Sequence, residues 1–170
     1  PQLWQEVMRF EQYREQFAFL RDNGITTRTD MAAFTARTEE TLANLMKQRT
    51  VLNVRRKRRR ALYTALADAE ALAPVKELYE AGLSGMETEF AQYMDAVAAL
   101  EQCGVPREGL SQEKAELYDR LAELNRQIRA ERRKLALCRK TQNSLPRMEQ
   151  EIDKAEARES EVRTNEHRRR

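Results

Sequence analysis

The feature that most constrains the fold is a series of positions, spaced alternately by four and three residues, in the second half of the chain. Most of them are apolar: Leu117, Leu121, Leu124, Ile128, Glu131, Leu135, Cys138, Gln142, Leu145 and, after a skip, Ile152. This heptad spacing places the side chains on one stripe of a helix, and such a stripe has to be buried against another helix. The sequence therefore predicts a long helix that packs on a second one.

Turn-forming residues divide the chain into helical segments. Glycine, serine and proline cluster near residue 24 and over 81–85 and 103–109, and helix-forming residues fill the intervals. We expect five segments: a lead helix (1–24), a first long helix (27–80), a tip excursion with a short helix (82–110), a return helix (111–165) and a basic tail (166–170).

Several helix ends carry recognisable signals. Asn23-Gly24 is typical of a left-handed C-cap, and Thr27 followed three residues later by Asp30 resembles a capping box. By the same criteria, we expect Ser84 to cap the short helix and Ser111 to cap the return helix.

Two long amphipathic helices joined by a short excursion pack most simply as an antiparallel pair. The predicted fold class is therefore all-α: a long antiparallel coiled-coil hairpin with a lead helix and a short helical excursion at its tip. A parallel homodimer is the alternative. We expect Pro74 to kink or briefly break the first long helix, and Pro146 to kink or end the return helix, because proline lacks a backbone donor.

Charge is arranged in blocks, although the net charge is only +3. Residues 49–60 carry a net charge of +7, residues 61–125 carry −9, and residues 126–140 carry +6. Two basic blocks therefore bracket an acidic one, and their effect depends on how the chain folds back on itself.

A hairpin centred on the excursion predicts which basic residues lie opposite each other. Arg55 is expected opposite residue 137 of the return helix, and Arg60 is expected opposite residue 132. The two basic blocks would therefore lie side by side. Because burying an unpaired guanidinium is costly, we expect an ion pair from Glu131 to Arg59 or Arg60.

The basic blocks are the candidate binding residues. A belt of such cations can neutralise a phosphate backbone without sequence preference and with strong salt dependence. A solvated helix face is the alternative, and no aromatic residue is interleaved among the cations to stack on single-stranded bases. The candidate DNA-binding residues are Arg55, Arg56, Lys57, Arg58, Arg59, Arg60, Arg129, Arg132, Arg133, Lys134, Arg139 and Lys140.

Catalytic and metal chemistry is not indicated. Cys103 and Cys138 form no CxxC pair and His167 is the only histidine, so we expect no metal, no cofactor and no catalytic residue in this fragment. No apolar stretch approaches the roughly 20 residues that cross a bilayer. The first residue is not methionine and no signal-peptide pattern follows it. We therefore expect a soluble, cytoplasmic, internal fragment of a longer protein.

One phrase of the sequence resembles a known family. Residues 17–25, Phe-Ala-Phe-Leu-Arg-Asp-Asn-Gly-Ile, followed by Asp30-Met31, resemble an element of relaxases, the mobilisation nucleases of conjugative plasmids or integrative elements in Gram-positive bacteria. The order of parts also resembles the carboxy-terminal helical region of that family, over nearly the whole chain. It comprises the lead helix with Trp4, a heptad helix, a turn over 78–82, a small middle helix and a charged return helix.

The resemblance implies an auxiliary function. The parent protein would nick one DNA strand through a tyrosine and a histidine-held metal in an upstream nuclease domain, and this region would hold DNA or act as a scaffold. The implied partners are DNA, the upstream nuclease domain of the same protein, and an accessory or coupling protein at the acidic tip. A purely structural coiled coil that dimerises or spaces domains is the alternative.

Overall fold

A computed structural model describes residues 2–168, with side-chain surroundings for residues 8–151, 153–154 and 156–160. The helices are α1 (Gln2–Asp22), α2 (Arg28–Glu80), α3 (Glu87–Cys103) and α4 (Arg107–Arg168). No strand occurs among the described residues. The predicted all-α class is confirmed, and α2 and α4 pack against each other. The predicted basic tail lies within α4 up to Arg168, and its last two residues lie outside the described part.

The turn between α1 and α2 forms as the sequence predicts. Gly24 has a φ of +63°, and the N–H of Ile25 donates to the carbonyl oxygen of Leu20 at 2.9 Å, which is the Schellman geometry of a helix end. At the start of α2, the N–H of Asp30 donates to Thr27 Oγ1 at 3.0 Å, and the N–H of Thr27 donates to the Asp30 carboxylate at 2.8 Å. Hydrogen bonds from Thr26 and Thr27 lower the pKa of Asp30 to about 2.

The two serine caps are wrong. Helix α3 begins after Met86 without a side-chain cap, and the Glu87 carboxylate instead accepts the N–H of Gly85 at 3.2 Å. Helix α4 begins at Arg107, because the carbonyl oxygen of Pro106 already accepts the N–H of Leu110 at 3.0 Å. Ser111 therefore lies inside the helix.

Both internal prolines lie inside continuous helices. Pro74 is within α2 and Pro146 within α4, so the predicted break at the first and end at the second did not occur. Pro74 and Pro146 are exposed, as are Glu70 and Gln142 four residues before them. The carbonyl groups that lose an N–H partner can therefore be hydrated, which lowers the cost of keeping the helix.

The chain forms two compact units, which we call the central unit (Ala43–Ile128) and the terminal unit (Pro1–Leu42 with Arg129–Arg170). In the central unit, Arg120 of α4 donates a hydrogen bond to Gln48 of α2, and Arg59 of α2 donates one to Glu113 of α4. The partner's number falls as the α2 number rises, so the two helices are antiparallel. All three of its helices contribute to one apolar core, whose buried members are Tyr63, Ala65, Leu66, Ala69, Ala96, Leu100, Leu110, Leu117 and Leu121.

The terminal unit has its own, smaller core. Phe19, Ile25, Met31 and Cys138 are buried together, and the rings of Phe19 and Phe34 meet edge to face at 5.6 Å. Burial raises the pKa of the Cys138 thiol, which keeps it protonated and unreactive. This cysteine is a packing residue.

The predicted stripe of α4 is largely buried. In the central unit, Leu117, Leu121, Leu124 and Ile128 are buried, and in the terminal unit so are Leu135 and Cys138. After Cys138 the predicted stripe residue is Gln142, but Gln142 is exposed and its neighbour Thr141 is buried. The stripe prediction is therefore wrong by one residue at this point. Ile152 lies outside the described side chains.

The C-cap of α3 requires a left-handed backbone conformation that can be tested by substitution. Gly104 has a φ of +68°, and its N–H caps the carbonyl of Glu101, whereas Gly109 lies inside α4. We expect Gly104→Ala to lower the free energy of unfolding by about 1–2 kcal/mol, because an L side chain is strained in this region. Gly109→Ala, whose Cβ would meet only Val105 at 3.6 Å, should be neutral or stabilising by up to about 1 kcal/mol. Urea unfolding of both variants measures the difference, and equal effects would contradict the assignment.

Candidate anion-binding groove

The first basic block, residues 55–60, lies on α2 in the central unit. Six consecutive residues cover about 1.7 turns of a helix, so they cannot share one face. Arg59 is half-buried toward α4, and the other five are exposed. One residue of the block, Arg59, therefore packs against α4, and the others face solvent.

Two arginines of the block pair with a single carboxylate of α4. Arg59 Nε lies 3.2 Å from Glu113 Oε1, and its Nη2 donates to Oε2 at 3.4 Å. Arg55 Nη2 lies 3.3 Å from the same carboxylate, and the hydroxyl of Tyr63 donates to it at 3.1 Å. Three side chains of α2 thus converge on one residue of α4.

This cluster corrects the predicted register. Arg55 lies opposite Glu113, where the sequence placed it near residue 137, and the acidic partner of Arg59 is Glu113 rather than Glu131. Glu131 belongs to the terminal unit, where it pairs with Lys134 at 2.6 Å. The reason is that α3 packs against α2 and contributes to the core, so the connection is not a tip about which α2 and α4 pair symmetrically.

The outward side of the block lines a groove between α2 and α4, which we call the basic groove. Its volume is about 720 Å³, within the range of sites that hold small ligands. Its lining combines four cations with two tyrosines and no carboxylate: Asn53, Arg56, Lys57, Arg60, Tyr63, Thr64, Ala67, Lys114 and Tyr118. Four like charges without an acid give the groove a positive electrostatic potential.

The two tyrosines of the basic groove differ in exposure. Tyr63 is buried, its hydroxyl is held by Glu113, and burial together with that hydrogen bond raises its pKa. Tyr118 is 47% exposed and lies one turn after Lys114 on α4. One ring is therefore fixed in the core, and the other is accessible from the groove.

Acidic residues bound the basic groove on its α3 side. Lys57 and Arg60 also line a neighbouring recess that contains Asp68 of α2 and Asp95 of α3. An anion in the basic groove is attracted by the four cations and repelled by these carboxylates. The charge pattern therefore favours binding on the side of Asn53 and Lys114.

The six candidate residues of the second basic block lie in the terminal unit, and half of them are paired. Lys134 pairs with Glu131, Arg139 with Glu39 at 3.6 Å, and Lys140 with Glu15 at 3.4 Å. The other three members, Arg129, Arg132 and Arg133, are exposed. Across the described side chains, no carboxylate lies in ion-pair distance of these three.

Sequence reasoning identified only the three α2 cations of the basic groove and missed its other six lining residues, including Asn53, Lys114 and Tyr118. Lys114 and Tyr118 both stand in the acidic block, more than 50 residues along the chain from the basic run on α2. The available signal was Glu113, an acid four residues before Leu117 and therefore in line with the buried stripe, which pairs with Arg55 and Arg59. Pairing these residues would have brought Lys114 and Tyr118 to the basic run.

Other kinds of site are not found in the described part of the chain. No group of three metal-ligating side chains occurs there, and none of its helices has the length and apolar character to cross a bilayer. Searches of protein families, curated proteins and solved structures found no match to this chain.

Proposed function

We propose that the chain is a noncatalytic DNA-holding module that binds the phosphate backbone through its central unit. The observation that carries the proposal is the basic groove, in which Arg56, Lys57, Arg60 and Lys114 line one concave surface without a carboxylate. Phosphate contacts of this kind give affinity without sequence specificity. Arg55 and Arg59 share Glu113 as an ion-pair partner and do not line the groove, so we assign them to the fold.

The biological setting that we propose follows from the relaxase-like phrase at residues 17–25. In that setting the module lies downstream of a DNA-nicking domain in the cytoplasm and keeps DNA near it during conjugative mobilisation. The nuclease domain and an accessory or coupling protein are then its protein partners. The acidic stretch of residues 61–125 is repelled by DNA outside the basic groove and is the surface left for a protein.

The second candidate is a purely structural coiled coil. The observation in its favour is that the heptad stripe of α4 is buried by internal packing, with Leu124 and Ile128 almost inaccessible to solvent. Under this alternative the cations are only a solvated face, and DNA is not bound at any salt concentration.

The salt dependence of DNA binding separates the two candidates. With about four phosphates neutralised, the logarithmic slope is expected near −3.6, which corresponds to roughly 150-fold weaker binding at 200 mM salt than at 50 mM. Fluorescence anisotropy with a labelled duplex of about 20 base pairs measures both values. Absence of binding at 50 mM both to this duplex and to either of its separated strands, or an affinity that does not change with salt, contradicts the proposal.

A further inference from the structure

The accessible tyrosine of the basic groove indicates the form of nucleic acid that it takes. We propose that the groove binds single-stranded DNA, with a base stacked on Tyr118 and the neighbouring phosphates on the surrounding cations. This inference rests on the proposed function and names the substrate form for the same groove.

The geometry of α4 supports this arrangement. Lys114 and Tyr118 are four residues apart, so their side chains are neighbours on one helix face. A nucleotide whose phosphate contacts Lys114 therefore has its base beside the ring of Tyr118. Both residues line the groove, and the Tyr118 ring is half exposed, so its surface is free to receive a base.

The opposite wall of the groove, on α2, supplies the rest of a strand-binding surface. Arg56, Lys57 and Arg60 lie at successive positions along this wall and can follow a backbone. Asn53 and Thr64 add uncharged donors and acceptors for a sugar or a base edge. Aromatic rings beside a positively charged groove are the usual features of single-strand binding.

Duplex DNA cannot use the Tyr118 ring in this way. Bases of a duplex are stacked on each other, so only their edges reach a protein, whereas an unpaired base offers its whole face. Tyr63 does not replace Tyr118, because it is buried and its hydroxyl is held by Glu113. The preference for a single strand therefore depends on one side chain.

The test compares Tyr118→Ala with Tyr118→Phe on two matched probes. The probes are a labelled 20-nucleotide strand without self-complementarity and the duplex of the same sequence, measured by anisotropy at 50 mM salt. We expect Tyr118→Ala to weaken single-strand binding about 5- to 100-fold, because stacking on one ring has that effect. Duplex binding should change less than about twofold, and Tyr118→Phe, which keeps the ring, should match the unmodified chain on both probes.

The possible failures are distinguishable. If the unmodified chain binds both probes and Tyr118→Ala changes neither, or changes both equally, the stacking inference is wrong while the proposed function stands. If the unmodified chain binds neither probe, the proposed function itself is wrong. Far-ultraviolet circular dichroism confirms folding of the alanine variant, and its half-exposed position makes unfolding unexpected.

Discussion

Simultaneous replacement of Arg56, Lys57 and Arg60 by alanine is expected to weaken duplex DNA binding on the order of 100-fold at 100 mM salt. These residues supply three of the four cations that line the basic groove. Each cation that no longer neutralises a phosphate also stops releasing a counterion, so the slope of the salt dependence should shrink from about −3.6 to about −0.9. Anisotropy titrations at several salt concentrations give both quantities.

The matched control removes the same charge elsewhere. Arg129, Arg132 and Arg133 are exposed arginines of the terminal unit, and their replacement by alanine lowers the net charge by the same three units. We expect only a severalfold loss of affinity and a nearly unchanged slope, because no groove residue is touched. Equal losses in the two triple variants would show that net charge, and not the basic groove, determines binding.

Local sequence signals predicted the helix ends where the chemistry is local. The Asn23-Gly24 end and the Thr27–Asp30 cap depend on hydrogen bonds within six residues, so neighbouring residue types determine them. The buried stripe was predictable for a similar reason, since heptad spacing alone decides which side chains share a face. The break at Pro74 and the end at Pro146 were mispredicted because exposed carbonyls can be hydrated, a property that depends on the packed structure.

The candidate site was only half predictable. The basic run on α2 is plain in the sequence, but the residues that face it depend on the register between α2 and α4. That register depends on α3, whose residues Tyr93, Ala96 and Leu100 are buried in the central unit. Treating this segment as a small tip placed Arg55 opposite the wrong part of α4. Tyr118 and Lys114 consequently went unrecognised as partners of the basic run.

Leu110 provides the second large expected effect, on stability. It lies in the first turn of α4, is fully buried, and belongs to the core that α2, α3 and α4 share. We expect Leu110→Ala to lower the free energy of unfolding by about 2–5 kcal/mol, because the substitution removes buried apolar surface and leaves a cavity. Urea unfolding followed by circular dichroism measures this change. Leu78→Ala, at a position 41% exposed in the same unit, should change stability by no more than about 0.5 kcal/mol.

The effect of Leu110→Ala on DNA binding follows from its place in α4. Glu113, Lys114 and Tyr118 are positioned by the same helix, one to two turns further along. Conditions that unfold the variant should therefore abolish binding, while at low temperature, where it remains folded, its affinity should stay near that of the unmodified chain.

The triple groove variant should show the reverse, with weak binding and an unchanged urea midpoint, because its three replaced side chains are exposed. A destabilised triple variant would mean that these cations support the fold, and the binding loss could then not be assigned to phosphate contacts.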